Sequence, residues 1–147
     1  MKLNTASEAV SFSMELENES AEFYQDLAQR YAEDKDTFLS FAKENGRNVV
    51  QVQRAYYGVI TDAIEGCYSF GGIDTDNYCI ETTLSQGKSY SDALNMAIAL
   101  EEKITKYYLD AAEVSKSLMA DVPQAFGRIA KKRNERVFKL KSLLGEG

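Results

Sequence analysis

Four charged residues stand where a helix would bury them. Glu17, Glu101, Arg133 and Arg136 each interrupt a run of apolar positions spaced three and four residues apart, which is the period of one helix face. Asn45 and Asn48 interrupt another such face, three residues apart, and the same interval separates Arg133 from Arg136. A carboxylate buried alone is costly, so each glutamate needs a metal ion, a cation or a proton beside it. Two chemistries are open to this set. The carboxylates can hold metal ions, or they can pair with guanidinium groups. Arginine suits the second role, because its planar fork makes two parallel bonds to a carboxylate and stays charged. Asn45 and Asn48 can then fill the remaining hydrogen-bonding positions. A third reading makes Arg133 and Arg136 part of a solvated basic helix end, with Lys131, Lys132, Lys139 and Lys141 beside them.

Other chemistries are excluded by what is missing. The 147 residues include no histidine, which removes histidine triads, histidine general bases and the commonest transition-metal ligand. Cys67 and Cys79 do not form a Cys-x-x-Cys pair, so a zinc ribbon or rubredoxin-type module is ruled out. A disulfide between them is conceivable in a loop, but two reduced thiols are the ordinary state inside a cell. The net charge of −6 argues against a nucleic-acid partner, which would call for a basic face. No apolar run approaches the roughly 18 residues of a membrane span. The stretch 1–9 lacks the apolar core of a signal peptide, and a cytoplasmic protein is the expectation.

The elements that must position these residues are helices. Thr5-Ala-Ser-Glu8 has the form of a capping box, and Val10, Met14, Glu17, Ala21, Tyr24, Ala28 and Tyr31 then mark one face of a long helix. A second stripe on that helix, Phe12, Leu16, Phe23 and Leu27, also needs covering, by the next helix or by another subunit, and leads to the expectation of a homodimer. Residues 34–36 break the pattern and can cap a second helix over about 37–64, with Phe38, Phe41, Asn45, Asn48, Val52, Tyr56 and Val59 inward. The glycine-rich stretch 66–88 reads as a long crossover, with a short extended piece within 73–84. Its tyrosines, Tyr68 and Tyr78, suit packing better than ligand binding. Ser89 to Asp92 is a second capping signal for a helix to about Ser115, whose stripe carries Glu101 and Tyr108. Asp121 and Pro123 open a fourth helix, a proline being tolerated in the first turn.

The two halves repeat one another. Glu17-x6-Tyr24 matches Glu101-x6-Tyr108, and the run 41–48, with Asn45 and Asn48, matches 129–136, with Arg133 and Arg136. These readings describe one domain spanning 1–147: a helical hairpin 6–65, a crossover 66–88 and a second hairpin 89–144. The fold class is all-α, a four-helix bundle with one long connection.

The residues Glu17-x-x-Ser20-x-x-Phe23-Tyr24-x-x-Leu27-Ala28 and Ala97-Ile-Ala-Leu-Glu101-x5-Tyr107-Tyr108-x3-Ala112 resemble the rubrerythrin branch of the ferritin-like superfamily. The paired segments Phe38-x-x-Phe-Ala42 and Phe126-x-x-Ile-Ala130 add to the resemblance, which extends over about 7–65 and 89–144. It implies a ferritin-like bundle and a di-iron centre built from single glutamates on two helices and a Glu-x-x-His on each of the other two. Glu17 and Glu101 match the single glutamates, and Tyr24 and Tyr108 lie beside them. The two Glu-x-x-His positions are held by Asn45-x-x-Asn48 and Arg133-x-x-Arg136. Shifting the first by one residue to Glu44-x-x-Arg47 restores a carboxylate but leaves the apolar stripe.

Two carboxylates facing two guanidinium groups make a cluster that is neutral without metal. The expectation is therefore a metal-free, non-enzymatic protein without cofactor, whose surface serves a protein partner or a regulatory role. One alternative is a di-iron oxidase or peroxidase in which Glu19, Glu44, Glu102 or Glu135 turns inward to complete an iron site. Another is a pocket beneath the crossover, in which Arg133 and Arg136 bind a small acidic ligand.

Overall fold

The computed structural model describes residues 1–59, 73–115 and 121–146. Among them are four long helices: α1 (Ala6–Arg30), α2 (Lys35–Val59), α3 (Tyr90–Ser115) and α4 (Asp121–Lys141). The capping box forms as the sequence predicts. The Glu8 N–H donates to the Thr5 hydroxyl at 3.1 Å, and the Glu8 carboxylate accepts from the Thr5 N–H at 3.1 Å. At the start of α3 the Asp92 N–H likewise donates to the Ser89 hydroxyl, at 3.1 Å. The last turns beyond α4, Ser142–Glu146, contain Gly145 at φ 83°, a left-handed conformation that suits glycine where a helix ends. Asp34, expected to cap α2, instead accepts a hydrogen bond from the Tyr90 hydroxyl and ties the start of α2 to the start of α3.

Contacts between helices give their directions. Asn45 meets Ser20, and Gln53 meets Met14, so α2 runs antiparallel to α1. Tyr107 reaches the Ala9 carbonyl and Tyr24 reaches Glu101, so α3 is also antiparallel to α1. Phe126 packs on Tyr108 and Arg136 meets Glu101, so α4 is antiparallel to α3. The order is up, down, down, up. Helices α2 and α3 point the same way, and the chain between them must travel the length of the bundle. Residues 73–88 make that climb. At one end Lys2 forms a β-bridge with Asp74, and the Leu3 N–H donates to the Ile73 carbonyl at 2.9 Å. At the other end Arg30 donates to the Ser85 carbonyl at 3.1 Å, and Tyr31 to the Lys88 carbonyl at 2.6 Å.

The extended piece expected within 73–84 reduces to that one bridge, followed by a tight helical turn, Thr75–Tyr78. Tyr78 packs edge-on to Tyr107 and donates to Asp110 at 2.6 Å, a packing role as expected. Cys79 is exposed. Cys67, Tyr68 and the expected end of the second helix at 64 lie outside the described residues.

The core runs the length of the bundle and is rich in aromatic rings, among them Phe23, Tyr24, Phe38, Tyr107, Tyr108 and Phe126. Leu16, Phe23 and Leu27, from the second stripe of α1, are buried within the chain itself, and Phe12 packs edge-on to Tyr107. The stripe behind the expected homodimer is therefore already covered. No helix among the described residues is long and apolar enough to cross a membrane.

Candidate functional site

The six polar residues singled out in the sequence meet at one level of the bundle. Glu17 from α1, Asn45 and Asn48 from α2, Glu101 from α3, and Arg133 and Arg136 from α4 are each at most 3% exposed. The period of each helix turns them inward, and the up-down-down-up order brings them to a common height.

Arg133 is the hub. Its Nη2 donates to Glu17 Oε1 at 2.7 Å, and its Nε to Glu17 Oε2 at 3.3 Å. Its Nη1 donates to Glu101 Oε1 at 2.7 Å. Nη2 also reaches the Ser20 hydroxyl at 3.0 Å and Asn45 Oδ1 at 3.3 Å. Arg136 donates through Nη1 to Glu101 Oε2 at 3.2 Å. Its Nη2 serves the Phe41 carbonyl at 3.0 Å, and both Nη2 and Nε reach Glu44 Oε1, at 2.9 and 3.1 Å. The same guanidinium lies over the rings of Phe41 and Tyr24, 4.9 and 5.7 Å from their centroids.

Two tyrosines cross the bundle to complete the pattern. Tyr24 on α1 donates to Glu101 on α3 at 2.5 Å, and Tyr108 on α3 donates to Glu17 on α1 at 2.6 Å. Asn48 donates to Glu17 Oε1 at 3.1 Å, and its own Oδ1 has no hydrogen-bond donor among the described residues. Asn45 turns away from the carboxylates and donates to Ser20 Oγ at 2.7 Å.

The electrostatics follow from burial and pairing. Burial pushes the Glu101 carboxyl upward, but Arg133 and Arg136 beside it outweigh that, and it lies below the ordinary glutamate range. Burial opposes the charge on Arg133, and Glu101 and Glu17 hold it protonated well above the ordinary range. The phenols of Tyr24 and Tyr108 are raised well above theirs, first by burial and then by the charge of the carboxylate each one touches.

Two further residues take part that the sequence does not place in the Glu–Arg–Asn cluster. Glu44 joins the cluster from its rim, one third exposed, so three carboxylates rather than two face the two guanidinium groups. Ser20 bridges Asn45 and Arg133. The signal for Glu44 was its place next to Asn45 on α2, one residue off the buried face. The signal for Ser20 was its interval of three from Glu17. Glu19, Glu102 and Glu135 are exposed and take no part.

A di-iron centre does not fit these residues. All four oxygens of Glu17 and Glu101 accept hydrogen bonds, seven in total, from Arg133, Arg136, Asn48, Tyr24 and Tyr108. A metal ion would have to displace those donors and sit against a guanidinium. Repulsion between two unit charges 4 Å apart is about 4 kcal/mol at an effective dielectric of about 20. Among the described residues no group of three or more His, Cys, Asp or Glu side chains is placed to hold a metal ion. The arginines are equally unsuited to an outside ligand, because each is buried with its donors turned to protein acceptors.

Comparison of the chain with protein-family models, with curated proteins and with solved structures returned no match.

Proposed function

We propose that this chain is a rubrerythrin-like member of the ferritin-like superfamily in which a Glu–Arg–Asn cluster has taken the place of the di-iron centre. In this reading it is not an enzyme, and it acts through its surface on a partner or as a regulatory protein. The single observation that carries the proposal is Arg133, which lies between Glu17 and Glu101 with bonds to both. A guanidinium there supplies the positive charge that two carboxylates in a core require.

Three further features support the reading. One long connection joining two antiparallel hairpins is the ferritin-like arrangement. Glu17 and Glu101 face each other from α1 and α3, and each accepts from the tyrosine that follows the other by seven residues. The arginines and asparagines hold equivalent intervals on α4 and α2.

The test is elemental analysis of the protein expressed with iron supplied. No stoichiometric metal is expected, and two ions per chain would overturn the proposal. A restored site gives a second test: Asn45→Glu, Asn48→His, Arg133→Glu and Arg136→His together supply the missing ligands. If the backbone is of the ferritin-like kind, the folded variant takes up two iron ions. A folded variant that binds none would remove the ancestral reading.

A further inference from the structure

On its outer surface the bundle carries a groove of about 840 Å³ between α2 and α4. Its size lies within the range of small-molecule sites, roughly 300–1,000 Å³. Lys43, Arg47 and Arg54 line it from α2, and Arg128 and Lys132 from α4. Asp121 is the one carboxylate among its described lining residues. Such a concentration of positive charge is out of character for a chain of net charge −6. None of the five cations has an ion-pair partner among the described residues. Arg136, in contrast, draws on Glu44 as well as Glu101. Like charges lining one groove repel one another, and an anion seated among them relieves that repulsion.

Helix geometry sets the reach of an occupant. Lys43 and Arg54 are eleven residues apart, so the cations of α2 extend over about 16 Å at the helical rise of 1.5 Å per residue. A single phosphate or carboxylate would meet only one end of that row. The floor is different in kind: Val50, Ala55 and Ala125 give it an apolar strip.

Gly46 is the second, independent observation. It lies in the middle of α2, where glycine is among the poorest helix formers. Its backbone does not require glycine, because its φ is not positive. Nothing packed against it requires glycine either, since a Cβ built there has no neighbour within 4 Å. The residue lines the groove and keeps that part of it open.

We infer that the α2–α4 groove binds a small organic polyphosphate, with its phosphoryl groups along Lys43, Arg47, Arg54, Arg128 and Lys132 and its non-phosphate part over Val50 and Ala125. Arginine forks match phosphoryl oxygens in pairs, and a chain of phosphoryl groups supplies charge at several points along the row. The inference does not depend on how the buried cluster arose, since none of the groove residues belongs to it.

Calorimetric titration at near-physiological salt tests it, with sodium tripolyphosphate, adenosine triphosphate and citrate as probes. Both phosphate probes should bind, adenosine triphosphate the more tightly because its nucleoside lies over Val50 and Ala125, and equal affinity would overturn that placement. The double variant Arg47→Gln, Arg128→Gln should weaken binding by about tenfold or more through loss of charge-assisted bonds. Gly46→Trp should weaken it by filling the groove at unchanged charge. Lys103→Gln, on the exposed face of α3, should leave it unchanged. Far-ultraviolet circular dichroism confirms that each variant is folded. The proposal is overturned if neither phosphate probe binds, if citrate binds as tightly as they do, or if Lys103→Gln weakens binding as much as the groove variants.

Discussion

Arg133 grips Glu17 side-on, with Nη2 on one carboxylate oxygen at 2.7 Å and Nε on the other at 3.3 Å, while Nη1 holds Glu101. All three residues are fully buried. Removing Arg133 leaves Glu17 charged in the core with no cation beside it, and leaves Glu101 with Arg136 alone.

Arg133→Leu should therefore cost about 3–5 kcal/mol of unfolding free energy, the range for breaking a buried pair from one side. The exposed Lys131→Leu should stay within about 0.5 kcal/mol. Urea denaturation of the two variants checks this. Removing the unit as a whole has a different outcome. Glu17→Leu, Glu101→Leu and Arg133→Leu, combined with Tyr24→Phe, Tyr108→Phe and Asn48→Leu so that no buried donor loses its acceptor, leave Arg136 its bond to Glu44 and should be more stable than Arg133→Leu alone. A combined variant that is less stable than Arg133→Leu would contradict this account.

Acid should weaken the fold through Glu101. Its folded-state pKa is lowered because Arg133 and Arg136 outweigh the effect of burial. A carboxyl of this kind contributes stability that is present above its unfolded value of about 4.3 and is lost as pH falls through the folded one. Glu101→Gln removes that contribution, so its stability should decline less steeply than the parent's as pH falls below about 4.3. Chemical denaturation at a series of acidic pH values measures the two slopes. Parallel slopes would show that Glu101 is not ion-paired in solution.

Alkali should act through the two crossing tyrosines. Their folded-state pKa values are raised by burial and by the carboxylates they touch. The sign is opposite to that for Glu101: their contribution is complete below the unfolded value of about 10 and is lost as pH rises towards the folded ones. Tyrosinate absorbance should show Tyr24 and Tyr108 ionising only together with loss of helix. Tyr24→Phe with Tyr108→Phe should shrink the late, cooperative step, leaving the part that belongs to the buried Tyr107. Early and gradual ionisation of all tyrosines in the parent would refute it.

Gly46→Ala should stabilise the ligand-free protein by about 0.5–1 kcal/mol, the usual difference between glycine and alanine in a helix interior. The open space around its Cβ position means no packing cost offsets the gain. Thermal unfolding followed by circular dichroism checks the direction. A loss of stability would mean that Gly46 serves the fold rather than the groove.

Much of the architecture was legible because helix periodicity is local. Thr5 and Ser89 mark helix starts through bonds to residues three positions ahead, and the apolar intervals fix which face of each helix turns inward. Burial of Glu17, Asn45, Asn48, Glu101, Arg133 and Arg136 follows from those intervals. Partnership does not, because it depends on how high each helix stands against its neighbours. That Tyr24 serves Glu101 rather than Glu17, about two turns before it on its own helix, is settled by the antiparallel packing of α1 and α3. Glu44 was read as off the apolar stripe, yet a side chain at the rim is long enough to reach Arg136.

Periodicity alone specifies four amphipathic helices, their inward faces and a set of polar residues that must find one another in the core. Packing brings those residues to one level, joins Arg133 to both glutamates and leaves a basic groove between α2 and α4. Side-chain periodicity is set within a few residues of chain, whereas the register and spacing between helices are set across the whole bundle.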